Sequence, residues 1–486
     1  MLKAAVLAIE GLDPILVHEW ISSLPNLEKM QGGGITGLLK TPPPAGSPQS
    51  WMSLLSGKSP GATGVWDNRP RNAASWDVGW AAGIRTTKRS VRFLFEVLPA
   101  AGQRTALVDV PGTWPVPGVP GGYCVGRRPP GCGGSLTRPQ DLEDQIPDLL
   151  DGHPFESWSG AGEPGSKRVD LQRIQGMDDQ RLRLMSWLVD EKKCDFVMAA
   201  ASGPARLLEA MEEGPERAIS ELRTYYKWID GRIGELLDLL DRDTVLLVVS
   251  PYGLQPASTV VALNTYLAEA GYLVTRNRPS EPRELREADI EWAKTQCWAA
   301  GAPGCLWLNA NGRYPDGCVE ASEIPRIAAD IRGRISSWAE EIGEELTVQS
   351  PHTAFNGPCG SRGPDLIVSS PTARVALDDR VGVTPAVSAK GRGGRAAVRT
   401  AGYMCLAGSD VPRNGKVEGL SVLSIAPTVL EMLRLRVPCD VEKPSFFKVL
   451  RTRIPREPDS GRKETREKGE NHEEAAVRSR LEMLGY

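Results

Sequence analysis

The sequence predicts an α/β fold in which a mostly parallel central sheet is flanked by helices. Three largely apolar runs have the length of buried strands: Ala4–Ile9, Asp195–Ala201 and Thr244–Val249. Helical patterns separate these runs, and the longest, Glu216–Leu240, is amphipathic and leads directly into the third strand. Strands that alternate with helices are typical of parallel sheets, because each helix carries the chain back across the sheet.

The N-terminal part of the chain follows this alternation. A helix is predicted from Asp13 to Met30, with Asp13 as its N-cap and Pro14 at the first helical position. The Pro-rich loop Pro42–Pro48 precedes a second helical segment at Ser50–Leu55. A further short strand is predicted at Arg104–Asp109.

Two later stretches are less regular. The region of about 115–165 is dense in glycine and proline and is predicted to be an irregular insertion. It is followed by a helix that includes Leu182–Val189. The region of about 255–400 is weakly periodic, and we expect it to contain a cap or second lobe laid over the sheet. Asp365–Ser369 and Tyr403–Leu406 are predicted to be additional core strands.

The composition changes sharply near the C-terminus. Residues 1–450 have the pattern of one large α/β domain, whereas the chain from Arg451 onward is rich in charge and poor in apolar residues. Such a segment cannot bury enough apolar surface to fold alone, so residues 451–486 are predicted to be a charged linker. A short amphipathic helix is predicted within it, from Glu473 to Leu484.

Composition limits the classes of partner and compartment. The chain has 486 residues, of which 41% are hydrophobic and 24% charged, with a formal net charge of −3. This balance does not favour nucleic acid or an anionic membrane as a partner. Ala4–Ile9 is too short for the apolar core of a signal peptide, and no run approaches the roughly 20 apolar residues of a membrane span. We therefore expect a cytoplasmic protein.

Cysteine and histidine usage is informative. The nine cysteines are scattered singly, which does not predict a disulfide framework. The chain has only four histidines, His18, His153, His352 and His472. Because imidazole is a frequent ligand of catalytic zinc, this scarcity argues against a histidine-rich metal centre.

Several segments carry a family resemblance, and they occur in the expected order. They include VLAIEGLDPILVHEW, GSPQSWMSLLSGKSPGATGVWD, ALVDVPGTWP, LNTYLAEAGYL, GPDLIV and IAPTVLEML. Together they resemble the type I phosphodiesterase/nucleotide pyrophosphatase branch of the alkaline phosphatase-like superfamily, over nearly the whole chain. The resemblance implies an alkaline phosphatase-like fold. It also implies an ancestral site in which two zinc ions, or related ions such as manganese, assist a serine or threonine nucleophile in cleaving phosphoesters.

The nucleophile position of the family falls on Ser47. Within the resemblance, Ser47 precedes a helix whose N-terminus faces an incoming phosphate. The spacing alone favours a helix N-cap followed by proline at the first helical position, and within the family resemblance the two interpretations are compatible. Lys58, in the same segment, is interpreted as structural.

The metal-ligand positions of the family hold other residues here. The first carboxylate falls on Glu10, one methylene longer than aspartate, although a strand-end carboxylate that binds backbone N–H groups fits the residues as well. The Asp-His signature after Thr244–Val249 falls on Pro251 and Tyr252, which offer neither a carboxylate nor an imidazole. The remaining family ligands are replaced as well. In chain order, the altered positions are Glu10, Ala205, Glu209, Pro251, Tyr252 and Val398.

A catalytic zinc ion needs at least three good protein ligands, so we expect no metal cofactor. The chain is interpreted as a pseudoenzyme that acts by binding or scaffolding, with an unidentified protein or a phosphate-containing ligand as its partner. Ser47, as a vestigial nucleophile, and Arg206 are the candidate ligand-binding residues. The alternative for Arg206 is a structural ion pair, and Arg395 and Arg399 are interpreted as solvated cations unless they bind phosphate.

A second function stays open at the level of the sequence. A phosphoester hydrolase or transferase with an unconventional site could be built on Ser47, Glu10 and Glu209. Metal content and turnover of a generic phosphodiester would distinguish it from a pseudoenzyme.

Overall fold

The computed structural model describes residues 3–448, except 68–90, 128–133, 151–169, 210–214, 241–243, 278, 280, 315, 352–356, 384, 390–394, 409–410 and 414. The chain divides into two units between Phe447 and Lys448. Residues 449–486 lie outside the described residues, and with them the predicted helix Glu473–Leu484.

The described strands alternate with helices along most of the chain. In chain order the strands are β1 (Lys3–Ile9), β2 (Ile35–Lys40), β3 (Thr105–Val108), β4 (Tyr123–Val125), β5 (Thr137–Arg138), β6 (Phe196–Ala201), β7 (Thr244–Ser250), β8 (Gly253–Pro256), β9 (Thr259–Ala262), β10 (Cys297–Ala299), β11 (Cys305–Leu308), β12 (Thr347–Gln349), β13 (Leu366–Ser369), β14 (Val375–Asp378), β15 (Val387–Ala389), β16 (Ala396–Arg399), β17 (Ala401–Ala407) and β18 (Gly415–Ser421). The α-helices are α1 (Pro14–Trp20), α2 (Pro25–Gly33), α3 (Gln49–Ser56), α4 (Pro60–Thr63), α5 (Leu94–Ala100), α6 (Leu142–Leu149), α7 (Leu171–Asp190), α8 (Gly203–Glu209), α9 (Pro215–Leu239), α10 (Leu263–Glu269), α11 (Ile324–Glu341) and α12 (Ile425–Met432).

The central sheet has nine strands in the order β18-β2-β17-β7-β1-β6-β3-β4-β5. The strands β7, β1, β6, β3 and β4 run parallel to one another, whereas β17 is antiparallel to both of its neighbours. Every residue of β6 and β7 is buried. The predicted α/β class with a mostly parallel sheet is confirmed, and the carboxyl ends of β1, β3, β6 and β7 meet at one edge.

A four-stranded sheet, β10-β11-β13-β12, forms a separate layer with its own hydrophobic core. It includes the predicted strand Asp365–Ser369, observed as Leu366–Ser369, which therefore does not belong to the central sheet. Tyr403–Leu406, in contrast, lies within β17 of the central sheet. Between about 255 and 400 the chain also forms two smaller sheets, β14-β9-β15 and β16-β8.

Two other sequence predictions are refined by the structure. The single helix predicted from Asp13 to Met30 is wrong, because the chain forms α1, a 3₁₀ turn at Ile21–Ser23 and then α2. Leu24 precedes Pro25 and leaves the helical conformation, with φ −125° and ψ 67°, because a proline ring disfavours the α region for the residue before it. Within about 115–165, the described residues form β4, β5 and α6, and both strands extend the central sheet.

The start of α1 is confirmed as predicted. The Asp13 carboxylate accepts hydrogen bonds from the backbone N–H groups of Ile15 and Leu16 at 2.9 and 3.3 Å, and Pro14 is the first helical residue. Among the described residues, no helix combines the length and the apolar character that crossing a bilayer would require.

Candidate functional site

Four strands of the central sheet end at a common edge and place polar groups there. Glu10 follows β1, Asp109 follows β3, Ser202 follows β6 and Tyr252 follows β7. All four residues are buried, with exposed fractions of 5% or less. Because they follow neighbouring strands of one sheet, the four residues lie at the same edge.

Glu10 lies at the centre of this group. Its Oε1 accepts a hydrogen bond from the Tyr252 hydroxyl at 2.9 Å and a longer one from the Trp51 indole N–H at 3.4 Å. Its Oε2 accepts a hydrogen bond from the Arg127 guanidinium at 3.2 Å. Both carboxylate oxygens are thus occupied by protein donors.

These contacts determine the ionisation of Glu10. Burial is the largest influence and would raise its pKa, but attraction to Arg127 and then Arg206, with the hydrogen bonds from Tyr252 and Arg127, lowers the pKa to about 2. Burial, followed by the negative charge of Glu10, raises the pKa of Tyr252 well above its ordinary value. At neutral pH the pair is therefore an ionised carboxylate that accepts a hydrogen bond from a neutral phenol.

Arg127, which follows β4 and Gly126, lies in the same pocket. Its guanidinium contacts Ser202 Oγ at 2.5 Å and the Asp109 carboxylate at 3.4 Å, in addition to Glu10. Burial favours the neutral form, but Asp109 and then Glu10 outweigh it and raise the pKa of Arg127 above its ordinary value. Its Nε is buried without a hydrogen-bond partner.

A second arginine and a third carboxylate continue the network into the protein. Arg181 Nε lies 2.6 Å from Asp109 Oδ2 and 3.8 Å from Asp178 Oδ1. Asp178 also accepts hydrogen bonds from the backbone N–H groups of Ser202 and Gly203, at the start of α8, and from the Tyr225 hydroxyl at 2.7 Å. Burial raises the pKa of Asp178.

Asp109 holds its place at a conformational cost. Its φ of 53° lies in the left-handed region, which aspartate tolerates better than most residues but which still disfavours it. The carboxylate thereby lies between Arg127 and Arg181, and its Oδ1 has no hydrogen-bond partner.

The turn after β7 is packed tightly against the start of α1. The backbone oxygen of Pro251 accepts a hydrogen bond from Thr41 Oγ1 at 2.5 Å, and that of Tyr252 accepts one from Ser250 Oγ at 2.8 Å. A Cβ atom at Gly253 would lie 2.6 Å from the Asp13 carboxylate, so only glycine fits there. Neither Pro251 nor Tyr252 directs a carboxylate or an imidazole into the pocket.

Ser47 lies half-buried in the loop before α3. It is not the N-cap of that helix: Pro48 occupies the N-cap position, and no side chain caps the helix there. Trp51, one helical turn after Ser47, carries the indole that reaches Glu10. The start of α3 therefore lies between the predicted nucleophile, which precedes it, and the Glu10 carboxylate, which Trp51 contacts.

The predicted ligand-binding residue Arg206 lies on α8 between Ala205 and Glu209. Ala205 is buried, whereas the Glu209 side chain is 47% exposed and forms an ion pair with Arg206 at 2.5 Å. Arg206 is itself mostly buried and near enough to lower the pKa of Glu10.

The other cations considered from the sequence also have carboxylate partners. Arg399 pairs with Asp13 at 2.8 Å, and Arg395 pairs with Asp378 at 3.0 Å. Lys58 contacts the backbone oxygen of Asp440 and pairs with its carboxylate at 3.0 Å.

A groove runs beside the loop that leads to Ser47. It lies between that loop, β16 and the four-stranded sheet. Its lining includes Pro44, Ala45, Ser369, Val398 and Thr400. Val398 therefore borders this groove.

Comparison with known proteins assigns the family. The family model described as type I phosphodiesterase/nucleotide pyrophosphatase matches residues 4–382. The chain belongs to this family. No curated protein matches the chain.

Solved structures agree with the assignment at the level of fold. A structure of inactive murine ectonucleotide pyrophosphatase/phosphodiesterase 5 in complex with AMP is 10% identical with a TM-score of 0.51, covering 93% of this chain and 99% of that chain. The human protein is 11% identical with a TM-score of 0.53, covering 92% and 98%. Phosphonoacetate hydrolase from Sinorhizobium meliloti 1021, in complex with phosphonoformate, is 13% identical with a TM-score of 0.54, covering 89% and 95%.

The donor set at the edge of the sheet does not fit the two-metal centre that the family resemblance implies. Among the residues that the structure describes, no three His, Cys, Asp or Glu side chains converge in a geometry suited to a metal ion. Of the histidines, His18 lies on α1, and the other three fall outside the described residues. The two oxygens of Glu10 already accept hydrogen bonds from Tyr252, Trp51 and Arg127.

The structure thus joins Glu10 and Tyr252, which are far apart in the chain and which the sequence analysis interprets as altered family positions. Sequence reasoning missed Arg127, Asp109, Asp178 and Arg181. Asp109 ends a predicted strand, which is a usable signal. Arg127 lies in a stretch rich in glycine and proline, where no periodic pattern indicates a buried side chain.

Proposed function

We propose that this member of the type I phosphodiesterase/nucleotide pyrophosphatase family is a non-catalytic protein that acts by binding or scaffolding. The observation that carries the proposal is the hydrogen bond from the Tyr252 hydroxyl to Glu10 at 2.9 Å. The two residues occupy family metal-ligand positions, yet here they bond to each other. A phenol that donates to a carboxylate is a satisfied protein contact rather than a metal-ligand pair.

The surroundings of Ser47 support the same proposal. A serine hydroxyl is a weak nucleophile unless an adjacent base or metal activates it. Within the described part of the chain, no hydrogen bond joins the Ser47 hydroxyl to a carboxylate or an imidazole. Glu209, which the alternative hydrolase would use, pairs with Arg206 instead.

A phosphate-containing ligand is the proposed partner. The start of α3 presents the positive end of a helix dipole next to Ser47, and the groove along Pro44 and Ala45 begins three residues or fewer away. A related fold, that of the murine protein above, is known in complex with AMP. We propose that a phosphate group lies near Ser47 and that the remainder of the ligand follows the groove.

The test combines metal analysis, turnover and binding on the purified full chain. We expect no stoichiometric zinc, manganese or iron, and no hydrolysis of bis-p-nitrophenyl phosphate or nucleotides above a Ser47→Ala control. Turnover that disappears in Ser47→Ala would establish the alternative, a hydrolase or transferase built on Ser47. Calorimetric titration with AMP tests whether the chain binds a phosphate-containing ligand. We expect Arg206→Met to bind AMP more weakly than wild type, and the surface control Arg217→Met to bind it with the affinity of wild type.

A further inference from the structure

The Arg127 guanidinium lies between acidic and polar groups from three different strand ends. It contacts Glu10 after β1, Asp109 after β3 and Ser202 after β6, at 3.2, 3.4 and 2.5 Å. No local interaction along the chain explains this position, because every partner is distant in sequence. The side chain links the strand ends in the way that a bound ion would.

The balance of charge at Glu10 depends mainly on this side chain. Three buried carboxylates, Glu10, Asp109 and Asp178, face two guanidinium groups, that of the buried Arg181 and that of Arg127, whose side chain is 13% exposed. Arg181 lies 2.6 Å from Asp109 and 3.8 Å from Asp178, so its charge compensates these two carboxylates. Among the described residues, the one ion pair of Glu10 within 4.0 Å is with Arg127.

A buried charge is stable only when a partner compensates for its lost hydration. The metals of the family supply this compensation as divalent cations. Here Arg127 brings a permanent positive charge on a covalent tether, since the guanidinium stays protonated at any physiological pH.

We infer that the guanidinium of Arg127 is the built-in cation of this pocket, which takes over the charge-balancing role of a metal ion at the strand ends. The inference deepens the proposed function and rests on it for the absence of a resident metal. Because the chain itself provides the positive charge of the pocket, we expect the protein to fold without a bound metal ion.

The first experiment is a double-mutant cycle on the full chain. Arg127→Met keeps much of the side-chain volume but removes the charge, and we expect it to raise the unfolding equilibrium constant about a hundredfold or more, as breaking a buried pair does. Glu10→Gln added to Arg127→Met should recover part of this loss, because the Glu10 carboxylate is then no longer left without its partner. Arg217→Met, which breaks the surface pair of Arg217 with Glu221, is the matched control and should change stability little.

The second experiment uses Mn²⁺ alone as the probe. Arg127→Ala leaves the oxygens of Glu10, Asp109 and Ser202 around the vacated volume, and hard divalent cations prefer such ligands. We expect Mn²⁺ to raise the Tm of Arg127→Ala by at least about 2 °C and to leave wild type and Arg127→Ala/Glu10→Gln unchanged.

The outcomes separate the inference from the proposed function. If Arg127→Met is as stable as wild type, or if adding Glu10→Gln makes it less stable, Arg127 is not the balancing cation, even when turnover is absent. If Mn²⁺ stabilises wild type as much as Arg127→Ala, a metal fits beside the guanidinium and the inference fails. Should Arg127→Ala not fold, the cycle with Arg127→Met, together with Arg127→Lys, which keeps the charge, decides the question by the same comparison.

Discussion

Glutamine in place of Glu10 should destabilise the protein in a way that depends on pH. The substitution keeps the size of the side chain but removes the charge that Arg127 balances. Burial would raise the pKa of Glu10, yet Arg127, Arg206 and Tyr252 lower it from 4.5 to about 2. That difference of about 2.5 pH units corresponds to about 3 kcal/mol of folding free energy at neutral pH.

The sign follows from the lowered pKa. Because the folded protein holds Glu10 ionised more strongly than the unfolded chain does, the stabilisation is complete above the unfolded pKa of 4.5 and disappears as the pH falls toward 2. The free-energy gap between wild type and Glu10→Gln should therefore be about 3 kcal/mol near pH 7 and shrink by about 1 kcal/mol between roughly pH 5 and pH 3.5.

Urea denaturation at several pH values, monitored by tryptophan fluorescence, measures this gap. Glu221→Gln is the matched control, since its partner Arg217 is 51% exposed and the pair should contribute little at any pH. A gap that does not change with pH, or a Glu10→Gln protein that is more stable than wild type at pH 7, would refute the reasoning.

Two further predictions concern the same pocket. Tyr252→Phe removes the hydroxyl donor to a buried carboxylate and should lower the free energy of unfolding by about 1.5–3 kcal/mol in urea denaturation; an unchanged midpoint would contradict the proposed contact. A variant that reinstates family ligands should be less stable than wild type in chelator, because clustered carboxylates repel without an ion, and should regain stability in zinc through binding to the folded state. A melting temperature indifferent to zinc would contradict either the placement of the ligands or the relation to a two-metal ancestor. The substitutions are Ala205→Asp, Glu209→His, Pro251→Asp, Tyr252→His and Val398→His.

Much of the fold follows from local patterns. The apolar runs that became β1, β6 and β7 were identifiable because a strand buried on both faces is almost continuously apolar. The N-cap at Asp13 was identifiable from the Asp-Pro pair. Pro25 also carried a signal, since a proline inside a helical pattern ends the preceding helix, and the prediction of one continuous helix overlooked it.

Other features needed the tertiary arrangement. Leu366–Ser369 has the composition of a central strand but pairs within the four-stranded sheet, because the choice of sheet depends on which partners the intervening chain brings near. The sequence predicted that Glu10 and Tyr252 are altered family positions, but it did not predict their hydrogen bond, which joins residues 242 positions apart.

The sequence by itself determined the α/β class and the family, since these are properties of residue type and order, and it predicted that the family's metal-ligand positions hold other residues. Only the tertiary structure decided which groups meet at the ends of the strands. Arg127 balances Glu10 and Asp109 through contacts between chain segments that are remote from one another. Such pairing depends on where parallel strands end in space, which cannot be predicted from the local composition of any one segment.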